Sequence, residues 1–261
     1  MAFTVHAVMP GVWHIVDCMG VCMTLLEGEN AAMLVDTGYG IEDVADFMRH
    51  MTDLPLTVFL THNHHDHAMG ARCFPETYML EADMADWRMF TDDKMRRRVL
   101  TQAIGKNLPV DEKTFLAGEI PLPKVMKPGV IDLGGLTAEI IEAPGHTPGS
   151  AVVYVPERKL LLSGDDWNPC TWLFFPQALG LREYRSNMRG IQQLPFEKVL
   201  CPHREALYDR WMFDDFFNAL TEGNLRAAEP VNIAPYEQID TCQATLPHDQ
   251  VLVFDWAKSG L

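Results

Sequence analysis

The feature that most constrains this chain is a cluster of histidines at residues 61–70, which read THNHHDHAMG. Four imidazoles and one carboxylate stand within the six positions from His62 to His67. Imidazole and carboxylate groups are the usual nitrogen and oxygen ligands of zinc and of related divalent ions. A solvated polar loop without metal is the alternative, and the motif alone does not exclude it. The rest of the chain must decide between these two interpretations.

The residues before this motif predict how its side chains converge. Residues 56–61 (LTVFLT) are rich in β-branched and apolar side chains, which is typical of a short buried strand. Because side chains alternate along an extended chain, His62 and His64 should leave the end of that strand on the same side. Asp66 and His67 stand where a helix can begin, so they should point elsewhere. One loop is thus predicted to supply ligands to two metal ions.

Length and composition are those of an ordinary globular protein. The chain has 261 residues, of which 48% are hydrophobic, and this is enough for one large core. No repeat, low-complexity tract or Pro/Ser-rich linker divides the sequence, so we expect a single domain over residues 1–261. The six cysteines are scattered without a CxxC pair and are expected to be reduced thiols.

Charge and hydropathy argue against two classes of partner, nucleic acids and membranes. The formal net charge of −15 disfavours nucleic acid, because binding to a phosphate backbone normally requires a surface rich in Lys and Arg. The one basic run, residues 94–98 (KMRRR), reads as a solvated helix face balanced by nearby aspartates. The first residues show no export signal, and no apolar run approaches the length of about 18 residues that a membrane span requires. We therefore expect a cytoplasmic protein with a small-molecule substrate and no nucleic-acid or membrane partner. The sequence does not decide between a monomer and a homo-oligomer.

The order of predicted elements favours a layered α/β fold. Strands are predicted at residues 12–17, 21–27, 31–36, 56–61, 77–80, 137–142, 150–155, 159–163, 198–201 and 251–256. Helices are predicted at residues 41–51, 81–105, 182–194 and 208–221. Strands followed by helices, twice over, indicate two β-sheets with helices outside them.

One helical insertion, at about residues 81–118, has two possible roles. Met, Trp and Phe recur in its first part, and core packing is the simpler interpretation of such an apolar stripe. A lid over the metal site is the alternative, because the insertion falls between two sets of candidate ligands.

Three further candidate ligands each follow a predicted strand. His146 stands in residues 143–150 (APGHTPGS), where two prolines and two glycines hold a rigid loop. Asp165 ends residues 160–165 (LLLSGD), and His203 follows the short strand predicted at residues 198–201. Taken singly, each has a simpler role as a turn residue or a helix cap. Their common position after strands indicates one shared site.

Taken together, these motifs resemble those of the metallo-β-lactamase-fold hydrolase superfamily. The resemblance runs from about residue 12 to about residue 205 and includes residues 34–38 (LVDTG) as an Asp-Gly turn. It implies a four-layer αββα sandwich with a dinuclear site at the edge between its two sheets. It assigns seven metal ligands: His62, His64 and His146 to one ion, Asp66, His67 and His203 to the other, and Asp165 to both.

The resemblance also implies roles around the ligands and a choice of metal. Asp36 would orient a ligand from behind, and Asn63 and His65 would be spacers. Two divalent ions are expected as cofactors, with zinc first and iron or manganese as alternatives.

The chemistry implied is hydrolysis of a small ester, thioester or lactone. A water shared by two metals has a lowered pKa and supplies hydroxide at neutral pH, and Asp66 would relay a proton as a catalytic residue. His67 and Asp165 replace the residues usual in antibiotic-hydrolysing relatives, so the glyoxalase II-like and lactonase-like branch is favoured over a true β-lactamase. The alternative is a metal-binding sensor or interaction protein with vestigial hydrolase activity.

An aromatic segment beside Asp165 suggests how a substrate is held. Residues 166–176 (DWNPCTWLFFP) carry two tryptophans, and Trp167 and Trp172 are predicted to line a pocket for an apolar acyl group. The alternative is that these rings only close the edge of the sandwich. Tyr39 is a further candidate pocket residue.

Overall fold

The computed structural model describes residues 3–261, and its first sheet has seven strands that lie side by side in chain order. They are β1 (Thr4–Met9), β2 (Val12–Val16), β3 (Cys22–Glu27), β4 (Ala32–Val35), β5 (Leu56–Phe59), β6 (Tyr78–Met79) and β7 (Lys124–Val125). The strands β1 to β4 form an antiparallel meander, and β4 to β7 pair in parallel.

Two further sheets follow. The second has the order β14-β13-β11-β10-β9-β8, and the third the order β12-β17-β16-β15. Their strands are β8 (Gly129–Asp132), β9 (Thr137–Glu142), β10 (Ala151–Val155), β11 (Leu160–Leu162), β12 (Cys170–Leu173), β13 (Lys198–Leu200), β14 (Tyr208–Asp209), β15 (Glu229–Pro230), β16 (Thr241–Leu246) and β17 (Gln250–Asp255).

The α-helices lie between and after these strands. They are α1 (Val44–Met51), α2 (His65–Ala68), α3 (Trp87–Thr91), α4 (Asp93–Gly105), α5 (Glu112–Phe115), α6 (Leu181–Ile191), α7 (Arg210–Ala219) and α8 (Glu222–Arg226). Within residues 3–261, none of the helices combines the length and apolar character that crossing a bilayer demands.

Side chains that alternate along the strands build the layers. Leu34 of β4 packs with α1 on the outer face of the first sheet, while its neighbour Met33 packs between the two large sheets with Val153 of β10. Leu161 of β11 faces the other way and packs with α6 and α7. The order is therefore helix, sheet, sheet, helix, which confirms the predicted αββα sandwich.

Strand direction brings five loops to one edge of this sandwich. β4 runs parallel to β5, with Val35 opposite Phe59, and β11 runs parallel to β13, with Leu162 opposite Leu200. β9 has the same direction as β11, because both are antiparallel to β10. The carboxyl ends of these five strands therefore share one edge. The Ala151 amide joins the two sheets there by donating to the Thr61 carbonyl at 3.0 Å.

Some predicted elements differ from the structure for local reasons. The helix predicted at 81–105 is broken, because the Asp92 side chain accepts the Met95 amide at 2.8 Å and so caps a new helix, α4. The predicted helix at 208–221 begins later, since Tyr208 and Asp209 pair as β14 with β13. Seven strands were not predicted from the sequence, namely β1, β7, β8, β12, β14, β15 and β16, and the residues of β12 were interpreted as a pocket segment.

The layered core predicts a clear contrast between two leucines. Leu160 of β11 is fully buried between the sheets, whereas Leu122 is 57% exposed. We expect Leu160→Ala to lower the free energy of unfolding by about 2–5 kcal/mol, because it leaves a cavity in a close-packed core. The control, Leu122→Ala, should change it by less than about 0.5 kcal/mol. Equal urea denaturation midpoints for the two variants would contradict the layer assignment.

Candidate metal centre

Two groups of potential metal ligands lie at the shared strand edge. Within each group the nitrogen and oxygen atoms are within 4.8 Å of one another: His62, His64, His146 and Asp165 form one group, and Asp66, His67 and His203 the other. All seven ligands assigned from the sequence are thus brought together.

Asp165 stands between the two groups. Its Oδ2 lies 3.4 Å from His67 Nε2 in one group and 3.5 Å from His146 Nε2 in the other. The same atom is 3.1 Å from His203 Nε2. Leu162 and Leu200 pair with each other where β11 and β13 end. Asp165 and His203 each stand three residues after one of these leucines, and they therefore converge. A carboxylate in this position can serve both groups at once.

Hydrogen bonds to the rear nitrogens fix the orientation of two histidines. His146 Nδ1 lies 2.6 Å from the Trp172 carbonyl, an acceptor only, so Nδ1 carries the proton. His67 Nδ1 donates to Asp36 Oδ2 at 3.0 Å. In the neutral form of each ring, Nε2 therefore presents its lone pair to the cluster, as a metal-ligating histidine requires.

His62 is oriented in the same way through Thr61. The Thr61 hydroxyl donates its only proton to the Asp36 carboxylate, at 2.9 Å to Oδ2. Its oxygen is then free to accept from His62 Nδ1 at 3.1 Å, which again leaves Nε2 facing the cluster. Asp36 also accepts the Thr61 amide at 2.7 Å and has a left-handed backbone, with φ of 65°. It thus lies behind the ligands, as expected from the sequence.

The three histidines of the first group are electrostatically prepared to bind a cation. Burial lowers the pKa of His62, His64 and His146, because an imidazolium loses its hydration there, and neighbouring histidines lower the pKa further. These rings are therefore neutral at pH 7. Neutral imidazole is the form that coordinates a metal.

The carboxylates of the cluster favour positive charge in the second group. Burial alone would lower the pKa of His67, but nearby carboxylates, Asp165 foremost, outweigh it and raise that pKa well above its ordinary value. The same balance raises the pKa of His203. Burial alone would raise the pKa of Asp66, but the adjacent histidines outweigh it and lower that pKa to about 2. This side of the cluster therefore attracts cations.

The residues at this edge fit a pair of divalent ions. Among the described residues 3–261, His62 Nε2 and His67 Nε2 are buried and have no hydrogen-bond partner. Leaving such atoms unpaired costs about 1–3 kcal/mol each, and a coordinated cation would remove that cost. Imidazole nitrogens with carboxylate oxygens are also the donor set that zinc, iron and manganese accept.

Asp83, which the sequence analysis missed, clasps the two ligand loops together. Its carboxylate accepts the Gly149 amide at 2.6 Å and the Thr147 hydroxyl at 2.7 Å, beside His146. It also accepts the Asn63 amide at 3.2 Å, and the Asn63 side chain donates to its carbonyl at 2.9 Å. A Cβ on Gly149 would meet Asp83 at 2.6 Å, so only glycine permits this approach. The one sequence signal was an acid three residues after a predicted strand.

A cavity of about 460 Å³ opens over the cluster. Tyr39 and Trp172 line it, together with candidate ligands from both groups. Trp167 does not, because it lies in the hydrophobic core, where its indole N–H donates to Gln250 Oε1 at 3.2 Å. The insertion at 81–118 contributes Phe90 to the cavity wall.

Lys94 and Arg97 of the basic run at 94–98 are exposed, as in the predicted solvated face, but Arg96 is buried. The Arg96 side chain is 1% exposed, and its guanidinium donates to backbone carbonyls that include Gly118 at 2.6 Å. Arg98 lines the cavity, although the residue is exposed overall. The helical pattern gave the spacing of these side chains correctly, but their neighbours come from other parts of the chain.

The clasp predicts that Asp83 controls metal loading from a distance. Asp83→Ala would leave the buried amides of Gly149 and Asn63 unpaired and release both loops. We expect metal affinity to fall about 10- to 100-fold. The control is Glu81→Ala, an exposed acid in the same helical turn, which should keep wild-type affinity. Titration of apoprotein with zinc measures both, and equal affinities would contradict the clasp.

Comparisons with known proteins agree with this geometry. The sequence profile of the metallo-beta-lactamase superfamily matches residues 16–203. An acyl-coenzyme A thioesterase of Gallus gallus, MBLAC2, is 26% identical in an alignment over 202 residues that covers 69% of this chain and 70% of the relative.

Solved structures show the same fold. A metallo-β-lactamase family protein from Thermus thermophilus superposes with a TM-score of 0.60 at 20% identity, over 85% of this chain and 82% of its own. A metallo-β-lactamase from Pontibacter korlensis gives 0.59 at 17% identity, over 83% and 98%. Because the profile covers most of the sequence, the chain belongs to the metallo-β-lactamase superfamily.

Proposed function

We propose that this protein is a dinuclear metal-dependent hydrolase that cleaves a small acyl thioester, ester or lactone. The observation that carries the proposal is the pair of adjacent ligand groups, with Asp165 between them, at the floor of a cavity. Among the three bonds the thioester has the most support, since the relative from Gallus gallus is an acyl-coenzyme A thioesterase.

The candidate ligands would be divided between two metal ions. His62, His64 and His146 would hold one ion, Asp66, His67 and His203 the other, and Asp165 both. When bound, the two ions supply Lewis-acid activation of the carbonyl and hydroxide at neutral pH.

Asp66 is the side chain best placed to handle the proton. It lines the cavity, and with a pKa of about 2 it is ionised at pH 7. In thioester hydrolysis water forms the new C–O bond, the C–S bond breaks, and a proton must reach the departing thiolate. Asp66 would accept that proton from the attacking water and pass it on. This role needs no serine or cysteine nucleophile.

Two neighbouring histidines provide the test of this function. His64→Ala removes a member of the first ligand group, and we expect hydrolysis of a thioester and lactone panel to fall more than about 100-fold. His65→Ala is the matched control, because His65 lines the cavity but belongs to neither ligand group. Its activity should stay far above that of His64→Ala. A metal-loaded wild type that hydrolyses nothing on the panel would contradict the proposal.

Metal content gives a second, independent test. We expect two divalent ions per wild-type chain, zinc before iron or manganese, by elemental analysis of freshly purified protein. His203→Ala removes a ligand of the second group only, so it should keep about one ion. A single ion in the wild type, or two in His203→Ala, would argue against the dinuclear assignment.

A further inference from the structure

The cavity over the metal centre has an aromatic side. Phe90 and Phe175 lie against His64, with ring centroids 4.5 and 4.7 Å away. Trp172 extends this wall, since its ring lies 6.2 Å from that of Phe175. The wall therefore stands beside the first ligand group, and it suits an apolar part of a substrate.

Two arginines, Arg98 and Arg204, also line the cavity. Arg98 lies close enough to Tyr39 and His65 for its charge to act on both, and these two rings are 5.5 Å apart. Arg204 directly follows His203, and its Nη1 donates to the His203 carbonyl at 2.8 Å. Both arginines thus line the cavity next to residues that adjoin the second ligand group in sequence.

Neither arginine is engaged with an acid. Among residues 3–261, the arginines that form ion pairs are Arg49, Arg88, Arg96, Arg210 and Arg226. Within the described residues, the acids that line the cavity are Asp66 and Asp165, and both are candidate metal ligands.

With two divalent ions bound, the electrostatic balance of the cavity would be opposite to that of the whole chain. The ions would outweigh the two carboxylates, and the arginines add further positive charge. A guanidinium binds carboxylate or phosphate through two parallel hydrogen bonds, which gives both strength and orientation. A positively charged cleft in an acidic protein also draws anionic ligands toward it.

We propose that the substrate carries an anionic group, a carboxylate or a phosphate, that Arg98 and Arg204 bind while its apolar part lies against the aromatic wall. This inference rests on the proposed hydrolase function and defines its substrate class. The bond to be cleaved then lies between the two ends, over the metal centre. The anion belongs either to the acyl part or to the thiol part of the substrate.

Three thioesters distinguish these two sources. The first is the neutral butanoyl thioester of N-acetylcysteamine. The second, the succinyl thioester of the same thiol, places a carboxylate on the acyl part. The third, the butanoyl thioester of phosphopantetheine, places a phosphate on the thiol part. We expect kcat/KM for at least one anionic thioester to exceed that for the neutral one by about 10- to 100-fold, the contribution of a charge-assisted hydrogen bond.

Variants then assign that preference to the arginines. In Arg98→Gln and Arg204→Gln, the ratio of kcat/KM for the preferred anionic thioester to that for the neutral one should fall at least about tenfold, chiefly through KM. Arg97→Gln is the matched control, because Arg97 is an exposed neighbour on α4 that does not line the cavity. Its ratio should equal that of the wild type. Circular dichroism and metal content establish that each variant is folded and loaded.

The possible failures are distinct. Hydrolysis of all three thioesters at equal kcat/KM would overturn the anion-binding inference and leave the hydrolase function standing. So would a preference that survives in the double variant Arg98→Gln/Arg204→Gln. Hydrolysis of none of them by the metal-loaded wild type would overturn both.

Discussion

The convergence of five parallel-directed strand ends at one edge is the constraint on which the rest of this structure depends. β4, β5, β9, β11 and β13 come from two different sheets, yet the packing between the sheets brings their carboxyl ends together. Each end delivers a polar side chain, so imidazoles and carboxylates meet at one place in an otherwise apolar sandwich. The Ala151 amide and the Thr61 carbonyl join the sheets at that edge.

Burying so many polar groups is costly, and buried supports hold them in place. Asp36 orients His62 through Thr61 and contacts His67 directly, while Asp83 binds the two loops that carry the first ligand group. These supports hold the ligand side chains within the cluster. The Nε2 atoms of His62 and His67 have no hydrogen-bond partner among residues 3–261, which is unfavourable for stability and favourable for coordination. The centre thus gives up some folding free energy to gain ligand geometry.

The sequence predicts this site well where the chemistry is local and poorly where it depends on distant neighbours. The histidine motif is recognisable as a candidate metal site by its residue types, and His146 by the Pro- and Gly-rich loop around it. Trp167 was misplaced, because its burial depends on Tyr208 and Phe213, which pack around it from far along the chain. Asp83 and Arg98 were missed for the same reason, since nothing beside them in sequence shows which loop or cavity they face.

The central claim is that two ions share Asp165 between the ligand groups, and anomalous diffraction from crystals of the metal-loaded protein tests it most directly. The account predicts two anomalous peaks about 3.5–4 Å apart, one on each side of the Asp165 carboxylate. Histidine nitrogens should lie about 2.0–2.1 Å from each peak if the metal is zinc. A single peak held by one group alone, or peaks remote from Asp165, would contradict it.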